Sequence, residues 1–391
     1  MILFLIYYYM LMGLVGSGLI NMIDPMDVEQ KIVGFKQNTK KASNMHLIQE
    51  YGIKVKKELP LVNAFVCEDN ADTAAFHTLA EDEEVEFIED DYVGTTQALS
   101  PTHVDLIQGQ QMIPWGVKKI RAHEIWKAFD GEGVRVGVID TGVDRSHPDL
   151  KDNIKDVYGV LDCKNIDDDN GHGTHVSGII AALNNDIGVV GVAPNAQIYS
   201  VKAFDNQGRG RVSDVIEALQ WCIDKKVHVV NMSFGFNMQS IALKKAIKAA
   251  DQNNIVLVAA AGNSGKDNSV MYPAKYPEVI AVAASDKNDN AASFSSSGPE
   301  VNIIAPGVDI PSTYIKGSYR SMSGTSMATP HVVGTIALVS SVKKLSAQKV
   351  KELILSSAKD IGLPKKTQGQ GQLDAYKAVA NIRRLYCEQI G

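Results

Sequence analysis

The chain is short of cysteine. Four occur in 391 residues, Cys67, Cys163, Cys222 and Cys387, far apart and with no CxxC pair among them. That excludes a disulfide framework and the usual cysteine-built zinc sites. A scatter of unpaired thiols is expected, with one disulfide or one reactive thiol as the alternatives. An excess of positive charge is lacking too. With a net charge of −6 and a pI near 5.9, the chain has no electrostatic footprint for nucleic acid. No internal repeat occurs, which excludes solenoids and propellers. No G-x-S-x-G occurs either, so the nucleophile elbow of the α/β-hydrolases is not indicated. What remains is ordinary for a globular protein: 45% apolar and 21% charged residues, and 32 glycines for tight turns. The length allows two or three domains.

The first twenty residues, MILFLIYYYMLMGLVGSGLI, carry no charge. Residues 1–22 are read as a secretory signal or a membrane anchor, with Gly16, Ser17 and Gly18 as a small-residue cleavage site. The basic start of a signal is missing, so a start placed too early, with Met22 or Met26 as the true first residue, is the competing reading.

Residues 27–97 read as a small α+β domain. KIVGF (31–35), LVNAFVCE (61–68) and VEFIEDDYV (85–93) are strand-like; SNMHLIQEYG (43–52) and ADTAAFHTLAED (71–82) are helical. The order β-α-β-β-α-β predicts a ferredoxin-like sandwich. Eight acidic residues lie between Glu81 and Asp91. They form either a solvated face or a surface that caps the helix N-termini of a partner. Residues 94–112, GTTQALSPTHVDLIQGQQM, are polar and without period and read as a linker. Its part 98–112 leads into a second domain, 98–391. There VRVGVID (134–140), AQIYSVKAF (196–204), VHVVNMSF (227–234), NIVLVAAAG (254–262) and VIAVAAS (279–285) alternate with helical stretches near 172–183, 212–225, 240–253, 326–342 and 346–358. Near-continuous apolar strands between helices predict an α/β fold of three layers, a mostly parallel central sheet with helices on both faces. Sites in such sheets form at the carboxyl ends of strands.

Four residues stand at such places. Asp140 closes the first strand and can orient a histidine, or simply start a turn. His172 lies between two glycines at the head of a helix. It is a candidate general base, the glycines leaving room for a substrate backbone. A metal held by His172 and His175 is the weaker alternative, since no HExxH-type glutamate is near. Asn263 leaves a strand into a glycine-flanked loop, where its amide can donate to an oxyanion or merely shape a turn. Ser326 opens an apolar helix, as a cap or as a nucleophile held where the helix dipole favours negative charge.

VIDTGVDRSHPDL, NGHGTHVSGI, AAAGNSG and GTSMATPHVVG occur together and in this order. On them the chain closely resembles the subtilisin-like serine proteases over nearly all of residues 111–391, and more weakly over 31–93, which is similar to the family's inhibitory propeptide. The resemblance implies a subtilisin-like fold and a secreted, self-processing serine endopeptidase of broad specificity. It makes Asp140 the orienting acid, His172 the base, Ser326 the nucleophile and Asn263 an oxyanion donor, with the cap role of Ser326 retained. Ser233, Gly235, Gly208 and Gly210 would pair with an extended peptide substrate. Ala261 and Gly262 would wall the primary pocket, made shallow by Met271. LNNDIGVVGVAP (183–194) is similar to the family's calcium loop. Leu183, Asn185, Ile187 and Val189, with Asp149 and Gln111, would hold a structural calcium ion. Asp168 and Asp169 either favour a basic residue beside the scissile bond or form a solvated acidic loop. Cleavage of the linker near Gln97 or nearer Gln110 is left open. The implied partners are protein or peptide substrates and the chain's own propeptide as chaperone and inhibitor. The implied state is an extracellular monomer with no nucleic acid and no stable membrane association once the leader is gone. Two competing readings remain. One is a catalytically silent binding module, against which the intact Asp140, His172, Ser326 and Asn263 argue. The other is an intracellular protease.

Overall fold

The computed structural model describes residues 26, 29–69, 73–104, 110–161 and 165–390, with side chains up to residue 382. The 1–22 leader and Cys163 lie outside the described residues, as does the side chain of Cys387.

Seven strands form the central sheet. Across it run Val301–Pro306, Val279–Ser285, Val256–Ala260, Val229–Met232, Arg135–Asp140, Gln197–Lys202 and Ile154–Gly159. Every neighbouring pair is parallel. Side chains alternate between the two faces, as a strand's period of two requires. Val136, Val138, Val229, Val256, Val258, Ile280 and Val282 pack with the helices His172–Ala181, Thr325–Val342 and Ala347–Ser357. Ile139, Val230, Met232, Leu257, Ala259 and Ala281 pack with Val212–Asp224 and Ile241–Gln252 on the other face. Burial on both faces explains why these strands read as apolar runs without polar interruption.

The first strand of the sheet, Arg135–Asp140, lies inside it. Later strands are added on one side through Gln197–Lys202 and on the other through Val229–Met232. The crevice of an open parallel sheet lies at that reversal, outside the carboxyl ends. Asp140 and Ser233, the residue after Met232, stand at its edges.

Residues 30–90 form a four-stranded antiparallel sheet, Val55–Leu59, Ala64–Glu68, Gln30–Phe35 and Val85–Asp90 in that spatial order, with helices Lys41–Glu50 and Thr73–Leu79. This is the ferredoxin-like arrangement. The run LVNAFVCE covers only one of the two middle strands: Pro60–Val62 is a 3-10 turn, and the preceding strand begins at Val55. One face packs Val33, Phe35, Phe65 and Cys67 against the unit's own helices. Ile32, Leu59, Val66 and Phe87 face the other way and join the core around Val212–Asp224 and Ile241–Gln252. The small sheet thus lies on two helices of the large domain.

Three of the eight acidic residues end on those helices, Glu86 in an ion pair with Lys245 and two at helix N-termini. Glu89 accepts from Ser240 Oγ at 2.6 Å and from the Ile241 and Ala242 N–H groups at 2.7 and 3.0 Å. Asp91 accepts from Ser213 N–H at 2.9 Å and Ser213 Oγ at 2.7 Å. Both carboxylates sit on helix N-termini, where free N–H groups and the dipole favour an anion. The capping alternative is the one the fold adopts at these two residues. Lys57 adds ion pairs to Asp214 at 2.7 Å and Glu217 at 3.0 Å.

Candidate active site

Asp140 Oδ1 lies 2.7 Å from His172 Nδ1 and also accepts the Thr141 N–H at 2.8 Å. A carboxylate only accepts, so the imidazole proton lies on Nδ1 and the Nε2 lone pair is free. His172 Nε2 is buried with no partner. His172 is the first residue of its helix, and that end is fixed by Asp168. Its Oδ1 accepts from Thr141 Oγ1, Asn170 N–H and Gly171 N–H; its Oδ2 accepts from Thr174 N–H and Oγ1. Asp168 is therefore a buried helix anchor, neither a substrate contact nor part of a solvated loop. Asp169 pairs with the buried Lys202, which also donates to the Thr141 and Asp167 carbonyls at 3.1 Å.

The glycines around His172 serve packing, not substrate. A Cβ on Gly171 would enter the Tyr314 ring, and one on Gly173 would enter the Gly142 carbonyl. Nor do His172 and His175 share a metal-binding geometry. His175 Nε2 is bonded to the Arg320 carbonyl at 3.1 Å, and full burial pushes its pKa down to about 3.

Ser326 is the second residue of the helix Thr325–Val342. The N-cap is Gly324 and Ser326 lies inside the helix, so the cap reading of Ser326 is corrected. Its hydroxyl donates to the Ser233 carbonyl at 2.8 Å and accepts the Gln97 N–H at 3.0 Å. Its backbone N–H donates to the Gln97 carbonyl at 3.1 Å. Asn263 Oδ1 accepts from Thr325 N–H at 3.0 Å and Thr325 Oγ1 at 2.9 Å. That fixes the amide with its NH2 turned away from those donors. A Cβ on Gly324 would meet both the Gln97 carbonyl and Asn263 Nδ2, at 3.2 Å from the latter. Glycine keeps the space between these two groups open.

The linker is not featureless. Val93–Thr96 is the middle strand of a three-stranded antiparallel sheet, between Arg209–Arg211 and Phe234–Gly235. Gly94 stands opposite Gly210 and Thr95 opposite Gly235; Thr96 N–H donates to the Gly208 carbonyl at 2.9 Å and Gln97 N–H to the Ser233 carbonyl at 3.2 Å. Beyond Ser326, Leu99 N–H donates to the Ser323 carbonyl at 2.7 Å, and Thr102–His103 pairs with Ser318–Met322. The Gln97–Ala98 bond is thereby laid over Ser326 with chain bound on both sides.

Ala261 and Gly262 follow the strand Val256–Ala260 beside this segment. Met271 N–H donates to the Ala261 carbonyl at 3.0 Å, and its side chain wedges between Gly235 and Gly262: a Cβ on either would lie 2.7 or 2.9 Å from it. The Gln97 amide does not bond to this wall. It turns back to Thr95 O and Oγ1 at 3.1 and 3.2 Å.

A second cluster lies across the molecule's Leu183–Val189 loop. Gln111 Nε2 is within 2.6 Å of Leu183 O, 3.0 Å of Ile187 O, 3.1 Å of Val189 O and 3.3 Å of Asn185 Oδ1. Two amide hydrogens cannot serve four acceptors. Asp149 adds a carboxylate: Oδ2 accepts from Val189 N–H and Tyr319 OH, while Oδ1 is buried without a partner. Such converging oxygens with one orphaned carboxylate oxygen fit a hard cation, and with the amide turned over Gln111 Oε1 joins them. Among the described residues no group of three or more His, Cys, Asp or Glu side chains converges on a metal site.

The chain has known relatives. The Subtilase family matches residues 131–375. Subtilisin E of Bacillus subtilis is 42% identical over 315 residues, 79% of this chain and 79% of that protein. The thermostable alkaline protease of Halalkalibacterium halodurans is 44% identical over 271 residues, 68% and 74% of the two chains. Subtilisin DY of Bacillus licheniformis is 45% identical over 261 residues, 64% and 93%. With its parallel sheet, its layered helices and these relatives, the chain belongs to the subtilase family and is a subtilisin-like serine endopeptidase.

Proposed function

We propose that the protein is a secreted endopeptidase that cuts its own chain at Gln97–Ala98. Residues 1–22 are its leader, 27–97 its inhibitory propeptide and 98–391 its catalytic domain. The observation that carries this is the seat of Gln97: its carbonyl is 3.1 Å from the Ser326 N–H while Val93–Thr96 fills the strand gap on either side.

In this reading Ser326 is the nucleophile and His172 the base. The Ser326 hydroxyl, which donates to Ser233 O, turns toward the free His172 Nε2 and attacks the carbonyl while Nε2 takes its proton. Asp140 holds the ring by Nδ1 and stabilises the imidazolium that forms. The Ser326 N–H and the Asn263 NH2 receive the oxyanion. His172 then protonates the leaving amine of Ala98, and water, deprotonated by His172, releases the acyl group. Protein or peptide substrates enter the same gap as an added strand on Gly208, Gly210, Ser233 and Gly235. Main-chain recognition makes specificity broad, and Met271 makes the pocket at Ala261 and Gly262 shallow. The partners are substrates and the chain's own propeptide, and the enzyme acts as an extracellular monomer. Among the described residues no helix is long and apolar enough to cross a membrane.

The oxygen cluster is read as a structural calcium site, with Leu183, Asn185, Ile187, Val189, Asp149 and Gln111 as its holders. Bound there, calcium would tie the loop to the chain at Gln111 and stabilise the fold by mass action.

A fluorophosphonate probe tests the nucleophile. It labels Ser326 in the processed wild type; absence of label on folded, processed protein contradicts the reading. The separated 27–97 segment inhibits the processed enzyme at micromolar concentration, and no inhibition there contradicts the propeptide role.

A further inference from the structure

We infer that Phe236 is a specificity-determining residue that restricts the fourth residue before the scissile bond to glycine. The inference rests on reading Gly94–Gln97 as seated like a substrate. Counting back from Gln97, that fourth residue is Gly94, which is buried and stands opposite Gly210. A Cβ built on Gly94 would lie 2.6 and 2.7 Å from two ring carbons of Phe236 and 2.8 Å from the Gly235 carbonyl oxygen. Carbon atoms attract at about 3.5–4.0 Å, so contacts this short are repulsive.

Neither obstacle is a loose side-chain end. With Gly94 seated on it the Phe236 ring is 1% exposed; it stands edge-on to Phe234, centroids 5.9 Å apart at 81°, and Phe234 in turn packs on Phe204 at 4.7 Å. Its backbone is bound in both directions to Tyr272, N–H to carbonyl at 2.7 and 3.0 Å. The Gly235 carbonyl belongs to the strand that pairs with Thr95 and Thr96. Lifting the substrate away instead would break its pairing with Gly208, Gly210 and Gly235, which also aligns the scissile bond. A side chain at this position must therefore displace a packed ring and a paired backbone together. The constraint narrows the otherwise broad main-chain specificity at this position alone: Val93 and Thr95, on either side, are exposed.

The test uses the processed enzyme and peptides Xaa-Thr-Thr-Gln-Ala-Leu with Gly, Ala, Leu or Phe as Xaa, read as kcat/KM. Glycine is expected to be best, alanine about tenfold worse and leucine and phenylalanine about a hundredfold worse or more. Phe236→Ala is expected to narrow the Gly-to-Leu and Gly-to-Phe ratios by at least about tenfold. Equal cleavage of the Gly, Leu and Phe peptides by the wild type overturns the inference without any variant. So does a Phe236→Ala series with unchanged ratios. Digestion of casein with no cleavage of any of the four peptides overturns the substrate-like seating, and the inference with it. A second readout uses the full chain. Gly94→Leu is expected to slow conversion of the precursor, followed by intact mass, and Gly94→Leu with Phe236→Ala to recover it.

Discussion

At the scale of residues, function turns on which atoms are left free. Asp140 claims His172 Nδ1 and leaves Nε2 open; Thr325 claims Asn263 Oδ1 and leaves the NH2 to face the Gln97 carbonyl region. Asn263→Ala is expected to lower kcat by about a hundredfold to a thousandfold with little change in KM, the size of effect known for the oxyanion asparagine of subtilisin itself. Steady-state kinetics on a peptide substrate check it. Asp91 gives a pH dependence. Burial, with Asp214 nearby, outweighs the Ser213 bonds and the Arg211 charge that favour the anion, and raises its pKa from 3.8 to about 6 in the docked state. A carboxyl with a raised docked value takes up a proton on docking. Its contribution is thus fullest in acid, is lost as pH rises through about 6 and is absent above. The inhibition constant of the 27–97 segment is expected to rise between about pH 4 and pH 6 and to level off above, and Asp91→Asn to flatten that rise. The four proposed site residues stood out because each sits in its own short motif, at or just after the end of a strand or at the head of a helix. The glycines beside His172 were misread because their need is set by Tyr314 and Gly142, remote in sequence. Asp168 was misread because a run of three aspartates gives no sign that one of them is buried; only its Thr141 partner is remote in sequence, Asn170, Gly171 and Thr174 lying within six residues.

Among the elements, the five apolar strands and five helices of the large domain lie within a few residues of where periodicity puts them. Burial on both sides leaves an unambiguous pattern there. The edge strands Ile154–Gly159 and Val301–Pro306 and the hairpin Ile310–Tyr314 with Ser318–Met322 were not picked out. Ile154–Gly159 and Ser318–Met322 are largely half-buried, so their apolar signal is diluted; Val301–Pro306 is buried at every position but Asn302, and its apolar run is cut short by Asn302 and Pro306. Val93–Thr96 was hidden more deeply. VGTT has no core of its own and is a strand only because two foreign strands flank it. Helix capping across the two units yields a further prediction. Glu89→Ala leaves the Ile241 and Ala242 N–H groups without their acceptor, and is expected to weaken inhibition by the 27–97 segment by about tenfold. Titration of the processed enzyme with each segment checks it, and equal inhibition by both would remove the cap from the account.

Across the whole molecule, one chain is docked at two distant places at once. Gln97 lies on Ser326 and Gln111 lies in the oxygen cluster, with residues 98–110 between them. In this account the calcium site is complete before the chain is cut. Calcium at a hundred times its dissociation constant is expected to raise the melting temperature of the uncut Ser326→Ala precursor by on the order of 5 °C. Excess chelator is expected to reverse the rise, and Gln111→Ala to reduce it. A precursor whose melting is indifferent to calcium contradicts this. The central claim is that the Gln97–Ala98 bond lies where Ser326 cuts it. The most direct measurement is intact mass and N-terminal sequence of the purified wild type beside Ser326→Ala. The account predicts that the wild type alone is cut and that its new chain begins at Ala98. A first cut nearer Gln110, or the same cut in both proteins, would contradict it.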